Sequence, residues 1–303
     1  MTIHETKDHI TVCICTFKRP QLLTTLLGTV ESLATEGLFT ISLCIVDNDS
    51  SQSACEVVSA FSWEASIPVR YVCEPEQNIA RARNRAVENT EGSHVAFIDD
   101  DEIPEKCWLA SLYRMWKRTN ASGVLGPVLP LYQTPPPSWI VKGKILERPS
   151  METGKTLSWL ETRTGNVLFE RRLFDQKGYR FNVDYGRGGE DRECFRRMIE
   201  RGERFVWCND AVVREIIPAS RCSRTFQMRR ALLRGKVAVP SPFKGLRRLL
   251  KSTLAICLYL ALLLILLPIS QGLFMKYLIR TCDHLGGILA FFGISIIREN
   301  YLS

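Results

Sequence analysis

His94-Val95-Ala96-Phe97-Ile98-Asp99-Asp100-Asp101-Glu102 is an apolar run that stops abruptly in acid. A short apolar run reads as a buried strand, and in open α/β sheets ligands bind where such strands end. Asp99, Asp100 and Asp101 repel one another, so a fold that keeps them together needs a compensating charge. Hard oxygen donors suit Mg²⁺ or Mn²⁺, which take one or two carboxylates together with substrate phosphates. A solvated acidic turn is the ordinary reading of a short charge run. The strand leading into this one, and the segments around it, favour the metal.

Upstream, strand and helix patterns alternate. Ile10–Thr16, Ile41–Val46 and Val69–Cys73 read as strands. Gln21–Leu33, opened by Pro20, Ala54–Phe61 and Asn78–Asn89 read as helices. This spacing predicts an α/β fold with a Rossmann-like, mostly parallel central sheet and helices on both faces. Cys13 and Cys15 share one face of the first strand and read as small core residues. The first strand ends in Cys15-Thr16-Phe17-Lys18-Arg19, with neither GxGxxG nor a P-loop, so phosphates must be held another way. The acidic run supplies a metal for this, and Arg81 and Arg83 add cationic contacts. Asp47 closes the second strand, placed either to accept bonds from a base or ribose or to cap a turn. Thr134–Ser138, with three prolines, reads as a loop, and Trp139 and Trp159 read either as loop packing or as stacking on an acceptor sugar. Glu190 and Asp191 precede a helical pattern to Arg201, where carboxylates favour the helix start.

The 303 residues carry a formal charge of +8, unevenly placed. Residues 214–303 hold fourteen Lys/Arg and three Asp/Glu, whereas residues 1–213 hold 26 and 29. Arg221–Lys251 contains ten basic residues and no acid, and the uncharged Ser252–Ile269 follows it. That segment is close to the ~20 residues needed to cross a bilayer, and its basic flank follows the positive-inside bias and attracts anionic headgroups. A second apolar run, Leu285–Ile297, is shorter and glycine-rich. The chain is expected to divide into a catalytic domain, residues 1–235, and a basic, hydrophobic, membrane-associated region, residues 236–303. No zinc finger, RNP-like pattern or basic stripe through the catalytic part points to nucleic acid, and none is expected as a partner. The eleven cysteines lack metal-ligand spacing and the N-terminus is polar, so reduced thiols and a cytosolic catalytic part are expected.

Five motifs occur in order: Ile10–Pro20 (ITVCICTFKRP), Val46–Ser50 (VDNDS), Asn78–Ala86 (NIARARNRA), Phe97–Glu102 (FIDDDE) and Gly188–Asp191 (GGED). Together they resemble family 2 glycosyltransferases of the GT-A fold. With Leu125–Val128 and Thr164-Gly165-Asn166, they are similar more narrowly to bacterial exopolysaccharide (succinoglycan) glucosyltransferases. The resemblance implies that Thr16 and Asp47 contact the nucleoside and that Arg83 and Asn84 lie near the nucleotide. It implies that Asp99 and Asp101 form the metal-binding DxD, with Asp99 also near the ribose, and that Asp191 is the base of an inverting enzyme. Arg19, Asn166 and Glu190, within shared motifs, join the expected substrate-binding set. The chain departs from the family at Ile79, where glycine is usual, and at Arg214, where several relatives carry a metal-reaching His. It also lacks the QxxRW of processive synthases. The implied activity moves a hexose from a nucleotide sugar, a UDP-sugar by expectation, to a lipid-linked saccharide at the cytoplasmic face of the bacterial inner membrane. Two other classes remain at this stage: a nucleotidyltransferase, which would release pyrophosphate, and a silent membrane-bound sugar-nucleotide binder.

Overall fold

A computed structural model of the chain describes residues 7–186, 188–237 and 242–294, with side chains left out from 236 to 248. The chain forms two compact units: Met1–Leu129 with Arg148–Glu215, and Pro130–Glu147 with Ile216–Ser303.

The first unit opens with β1 (Asp8–Thr16), α1 (Pro20–Val30), β2 (Phe39–Asp47), α2 (Cys55–Glu64), β3 (Val69–Cys73), α3 (Ile79–Glu88) and β4 (His94–Asp99). Then come β5 (Glu102–Pro104), α4 (Trp108–Thr119), β6 (Gly123–Leu125) and β7 (Val128–Tyr132), which leads into α5 (Ser138–Gly143) of the second unit. The chain returns with β8 (Asn166–Glu170), α6 (Arg172–Asp175), α7 (Glu190–Glu200), β9 (Phe205–Trp207) and β10 (Val213–Ile217). The main sheet has the order β3-β2-β1-β4-β8-β6-β9. β3, β2, β1 and β4 run parallel, β8 runs against β4 and β6, and β9 is parallel to β6. The sheet is therefore mostly parallel, as expected, with β8 the reversed strand.

Alternation along the strands explains the layers. In β1, Ile10, Val12 and Ile14 face a core shared with α1, α2 and α4, while Cys13 and Cys15 face one shared with α3, α6 and α7. Both faces are apolar, so helices cover both. The adjacent parallel strands bring Thr16 level with Asp47, and Cys15 level with both Val46 and Asp99. The carboxyl ends of β1, β2 and β4 thus meet at one edge, where the acidic run begins.

His94, at the other end of β4, is buried. Ser93 Oγ lies 2.8 Å from its Nδ1, Trp116 packs edge-on at 4.1 Å, and Nε2 has no partner among the described residues. Burial holds its pKa down at about 4. The fold therefore keeps it neutral while the unfolded chain takes up a proton near 6.5, so stability is lost as pH falls through that window. From pH 7 to 5 this should cost about 2 kcal/mol. Urea midpoints at both pH values should show that slope in the wild type and a smaller one in His94→Gln.

The second unit contains α5, α8 (Arg224–Val237), α9 (Pro242–Ile269) and α10 (Gln271–Phe291). Trp139 and Ile140 of α5, Ala231 of α8, and Met275 and Ile279 of α10 share one buried cluster with Ile217 and Cys222. Trp139 thus belongs to a helical core, not to loop packing. Close backbone approach fixes the arrangement: a Cβ on Gly286 would lie 2.1 Å from the Leu232 carbonyl oxygen. α8 packs on α10, and residues 130–147 and 216–303 form one compact unit, which groups α8 with the C-terminal helices. The apolar run Leu285–Ile297 ends beyond the described residues, and its described part is the end of α10.

Candidate active site

The acidic edge is built by short-range anchoring. Thr16 Oγ1 donates to Asp100 Oδ2 at 2.8 Å. Arg19, at the start of α1, reaches Asp100 Oδ1 at 3.0 Å and Asp101 Oδ2 at 3.4 Å. Asp100 is thus the anchor of the triplet, buried between a hydroxyl and a guanidinium. Thr16 and Arg19 do come to the site, where they hold carboxylates. The Asp99 backbone N–H donates to Glu102 Oε2 at 3.2 Å. The other Glu102 oxygen is buried and accepts no bond from the described residues. Gly165 closes over both acids: a Cβ there would stand 2.7 Å from Asp99 Oδ2 and 2.9 Å from Glu102 Oε1.

A second group of residues approaches from α3 and α7. Gly188 and Gly189 have φ of 125° and 93°, a region that L side chains avoid, and they swing the chain into α7. The loop before them is stitched to α3. Asn78 Nδ2 donates to Val183 O, and Asn84 exchanges bonds of 2.8 Å with both backbone groups of Phe181. This places Glu190 against Arg83, whose Nη1 donates to Glu190 Oε1 while Nη2 lies 3.6 Å from Asp99 Oδ1. Arg83 and Glu190 are buried, and Asp191, one residue on in the first turn of α7, is half-exposed. Arg81 lies on the outer side of α3, paired with Glu76.

Negative charge is in excess here. Burial pushes Asp100 up to about 6 against the pull of Arg19, and Glu190 up to about 7 against Arg83. Burial, with a neighbouring Asp in each case, also raises Asp99 and Glu102. Glu102 stands directly across from Glu215 in the β5–β10 pair, and Arg148 holds Glu215 at 2.5 Å. Arg163 carries the opposite stress. Burial first, then Arg148 and Arg192, bring its pKa down to about 10, while Asp191 favours its charge.

The residues fit a divalent cation. Asp99, Asp101 and the second oxygen of Glu102 are hard donors in a region dense in carboxylates. Among the described residues no three His, Cys, Asp or Glu side chains converge on one point, so substrate oxygens are needed to fill the shell.

Three residues expected to contact substrate also make bonds within the fold. Asp47 is fully buried and accepts from Asp49 N, Ala54 N and the Tyr71 hydroxyl, so it anchors the turn and the entry to α2. Asn84 pins Phe181, as described. Asn166 accepts from Trp108 Nε1 and donates to the Pro127 and Ala211 carbonyls, tying β8 to its surroundings. Arg214, in the place of the metal-reaching His, turns to Glu105 at 2.8 Å.

Residues 11–181 match the model of glycosyl transferase family 2, more than half the chain. The chain belongs to that family. The glycosyltransferase is 32% identical over 233 residues to the succinoglycan biosynthesis protein ExoM of Rhizobium meliloti (strain 1021), covering 75% of this chain and 73% of that one. It is 23% identical to the glycosyltransferase GlyA of Streptococcus pneumoniae serotype 4 (strain ATCC BAA-334 / TIGR4) over 68% of this chain, but only 30% of that longer protein. Among solved structures, S. aureus TarS 1–349 in complex with UDP-GlcNAc superposes with a TM-score of 0.55 at 14% identity, covering 78% and 69% of the two chains. The mannosyltransferase PcManGT from Pyrobaculum calidifontis, in complex with GDP-Man and Mn²⁺, gives 0.55 at 18% identity, covering 75% and 62%. These likenesses show the GT-A fold.

Glu102, Arg148, Glu215 and Arg163 of the glycosyltransferase were not singled out from sequence. Glu102 follows the acidic run and was legible as a fourth acid, but its pairing with a residue 113 positions later was not. The Arg83–Glu190 pair should be structural as well as local. Arg83→Met leaves a buried carboxylate unpaired and should cost about 3–5 kcal/mol by chemical denaturation. Arg83→Met with Glu190→Leu should recover most of that loss.

Proposed function

We propose that this glycosyltransferase moves a hexose from a UDP-sugar to a hydroxyl of a lipid-linked saccharide, with inversion, at the cytoplasmic face of a bacterial inner membrane. The observation that carries the reading is the contrast within GGED. Glu190 is buried and bound to Arg83, whereas Asp191 is half-exposed at the start of α7, beside the Arg83–Asp99 contact. A half-exposed carboxylate beside the acidic edge is suited to take the acceptor proton as the oxygen attacks. Glu190 and Arg83 hold the segment that carries it. Inversion needs one in-line displacement, so no covalent intermediate is invoked.

Asp99 and Asp101, with Glu102 behind them, would hold Mg²⁺ or Mn²⁺. When bound, the ion supplies Lewis-acid stabilisation to the departing diphosphate. Thr16 and Arg19 hold Asp100 and Asp101, keeping the acids at the strand ends. Arg163, for which no ion pair is found among the described residues, is a cation suited to an anionic part of either substrate. The UDP-sugar choice rests on likeness to TarS, which binds UDP-GlcNAc, and the lipid-linked acceptor on likeness to a succinoglycan biosynthesis protein. Family membership sets aside the nucleotidyltransferase and silent-binder readings.

A panel of nucleotide sugars supplied to isolated membranes tests this. Nucleoside diphosphate release should require one UDP-sugar and rise with lipid acceptor. Pyrophosphate as the product, or turnover indifferent to lipid extract, would contradict it.

A further inference from the structure

We infer that α9 and α10 form a hairpin lying in the plane of a membrane, with α9 immersed through its leucine face in one anionic leaflet and not crossing the bilayer. Length and composition alone permit a span: Leu249–Ile269 has a mean hydropathy of 2.5. The partner helix argues against it.

Ser270 caps α10 through a bond from Leu273 N, and the chain doubles back. Tyr259 packs on Tyr277 at 5.3 Å, and Ser252 Oγ lies 3.1 Å from His284 Nδ1. These two pairs fix an antiparallel register. An upright Leu249–Ile269 would put Tyr259, its middle residue, at the bilayer centre, with Tyr277 beside it. Lys276 and Arg280 would then sit within about 5 Å of the midplane, at ~1.5 Å per residue. Asp283 would follow, tied to Arg234 of α8 by contacts of 3.0 and 3.1 Å. Arg224, Arg229 and Arg230 belong to the same helix α8. Charges at that depth are costly and need partners inside the membrane, and α8 would have to enter with them.

Laid flat, the same hairpin has no such conflict. The exposed apolar positions of α9, among them Leu250, Leu254, Leu258, Leu260, Leu264 and Leu267, cover most of its circumference. Only 11% of this apolar segment is buried in the fold. Its opposite side, with Ser252 and Tyr259, rests on α10. A broad apolar face backed by a helix that carries Lys276, Arg280 and Asp283 lets α9 enter one leaflet while those charges stay at its surface. Charge complementarity names the occupant: ten basic residues and no acid in Arg221–Lys251 match an anionic leaflet.

Cysteine labelling in sealed native membrane vesicles, with a membrane-impermeant maleimide, tests the inference. Cys107 is exposed in the first unit and Cys257 is exposed on α9, so wild-type protein carries two probes. Gln271→Cys adds one at the turn. Cys107 and the turn should react from the same side, and Cys257 should react only after detergent. Reaction of the turn only from the side opposite Cys107 would show that α9 crosses. No reaction of the turn from either side would bury it within the bilayer and equally overturn a flat helix. Free reaction of Cys257 without detergent, or release of wild type by carbonate as a soluble dimer with Cys257 protected, would remove the lipid contact, the second result assigning the face to another copy of the chain.

Discussion

Asp191→Asn should slow sugar transfer by roughly 10²–10⁴-fold, the usual cost of losing a general base, while donor affinity stays within a few-fold. The amide keeps the shape and the polar oxygen at the start of α7, so the helix entry set by Gly188 and Gly189 survives. It cannot accept the acceptor's proton. Glu190 is a poor substitute, because its carboxylate is buried and bound to Arg83. Single-turnover transfer with purified protein, beside calorimetric donor binding, separates the two effects. If Asp191→Asn transfers at the wild-type rate, Asp191 is a helix-start residue and nothing more. If Glu190→Gln instead produces the large loss with an intact fold, the base is Glu190.

The second large effect concerns the acidic edge. Asp101→Asn should weaken Mn²⁺-dependent UDP-sugar binding by roughly tenfold or more, in line with the cost of disturbing a metal shell, and should abolish measurable turnover at low metal. EDTA should silence the wild type, and Mg²⁺ or Mn²⁺ should restore it. Asp100→Asn makes the contrast. Its carboxylate is held by Thr16 and Arg19, so the main loss should be in stability and not in metal affinity. A Mn²⁺ titration of donor binding in both variants, beside their denaturation midpoints, checks the split. Full transfer in excess EDTA would remove the metal from the reaction.

Much of the fold was legible because its signals are local. The apolar strands end in polar residues, and the helix patterns between them have one buried face each. Their bounds shift by a few residues: the helix expected over Gln21–Leu33 stops at Val30, and the one expected from Ala54 runs from Cys55 to Glu64. The reversal of β8 was not legible, since strand direction leaves no mark on hydrophobic pattern. Nor was the membership of α8. Its place depends on close contact between Gly286 and Leu232 across the C-terminal helices, which sequence spacing does not encode.

The site divides the same way. Arg83 and Glu190 meet across 107 positions, and Arg83 also approaches Asp99. Asp47, Asn84 and Asn166, from the same motifs, also bond to the frame that carries the site. A motif records that a residue type is needed and leaves open whether substrate or backbone needs it. The Glu102–Glu215 pair and its Arg148 partner arise from a small antiparallel sheet whose strands are distant in sequence.

The most direct measurement is the anomeric configuration of the transferred sugar. The glycosyltransferase should be supplied with an α-linked UDP-hexose and its lipid-linked acceptor, and the anomeric proton coupling of the new linkage read by NMR. A single displacement assisted by Asp191 predicts a β-linkage. An α-linkage would mean retention, and would contradict a mechanism in which one carboxylate base drives one in-line attack.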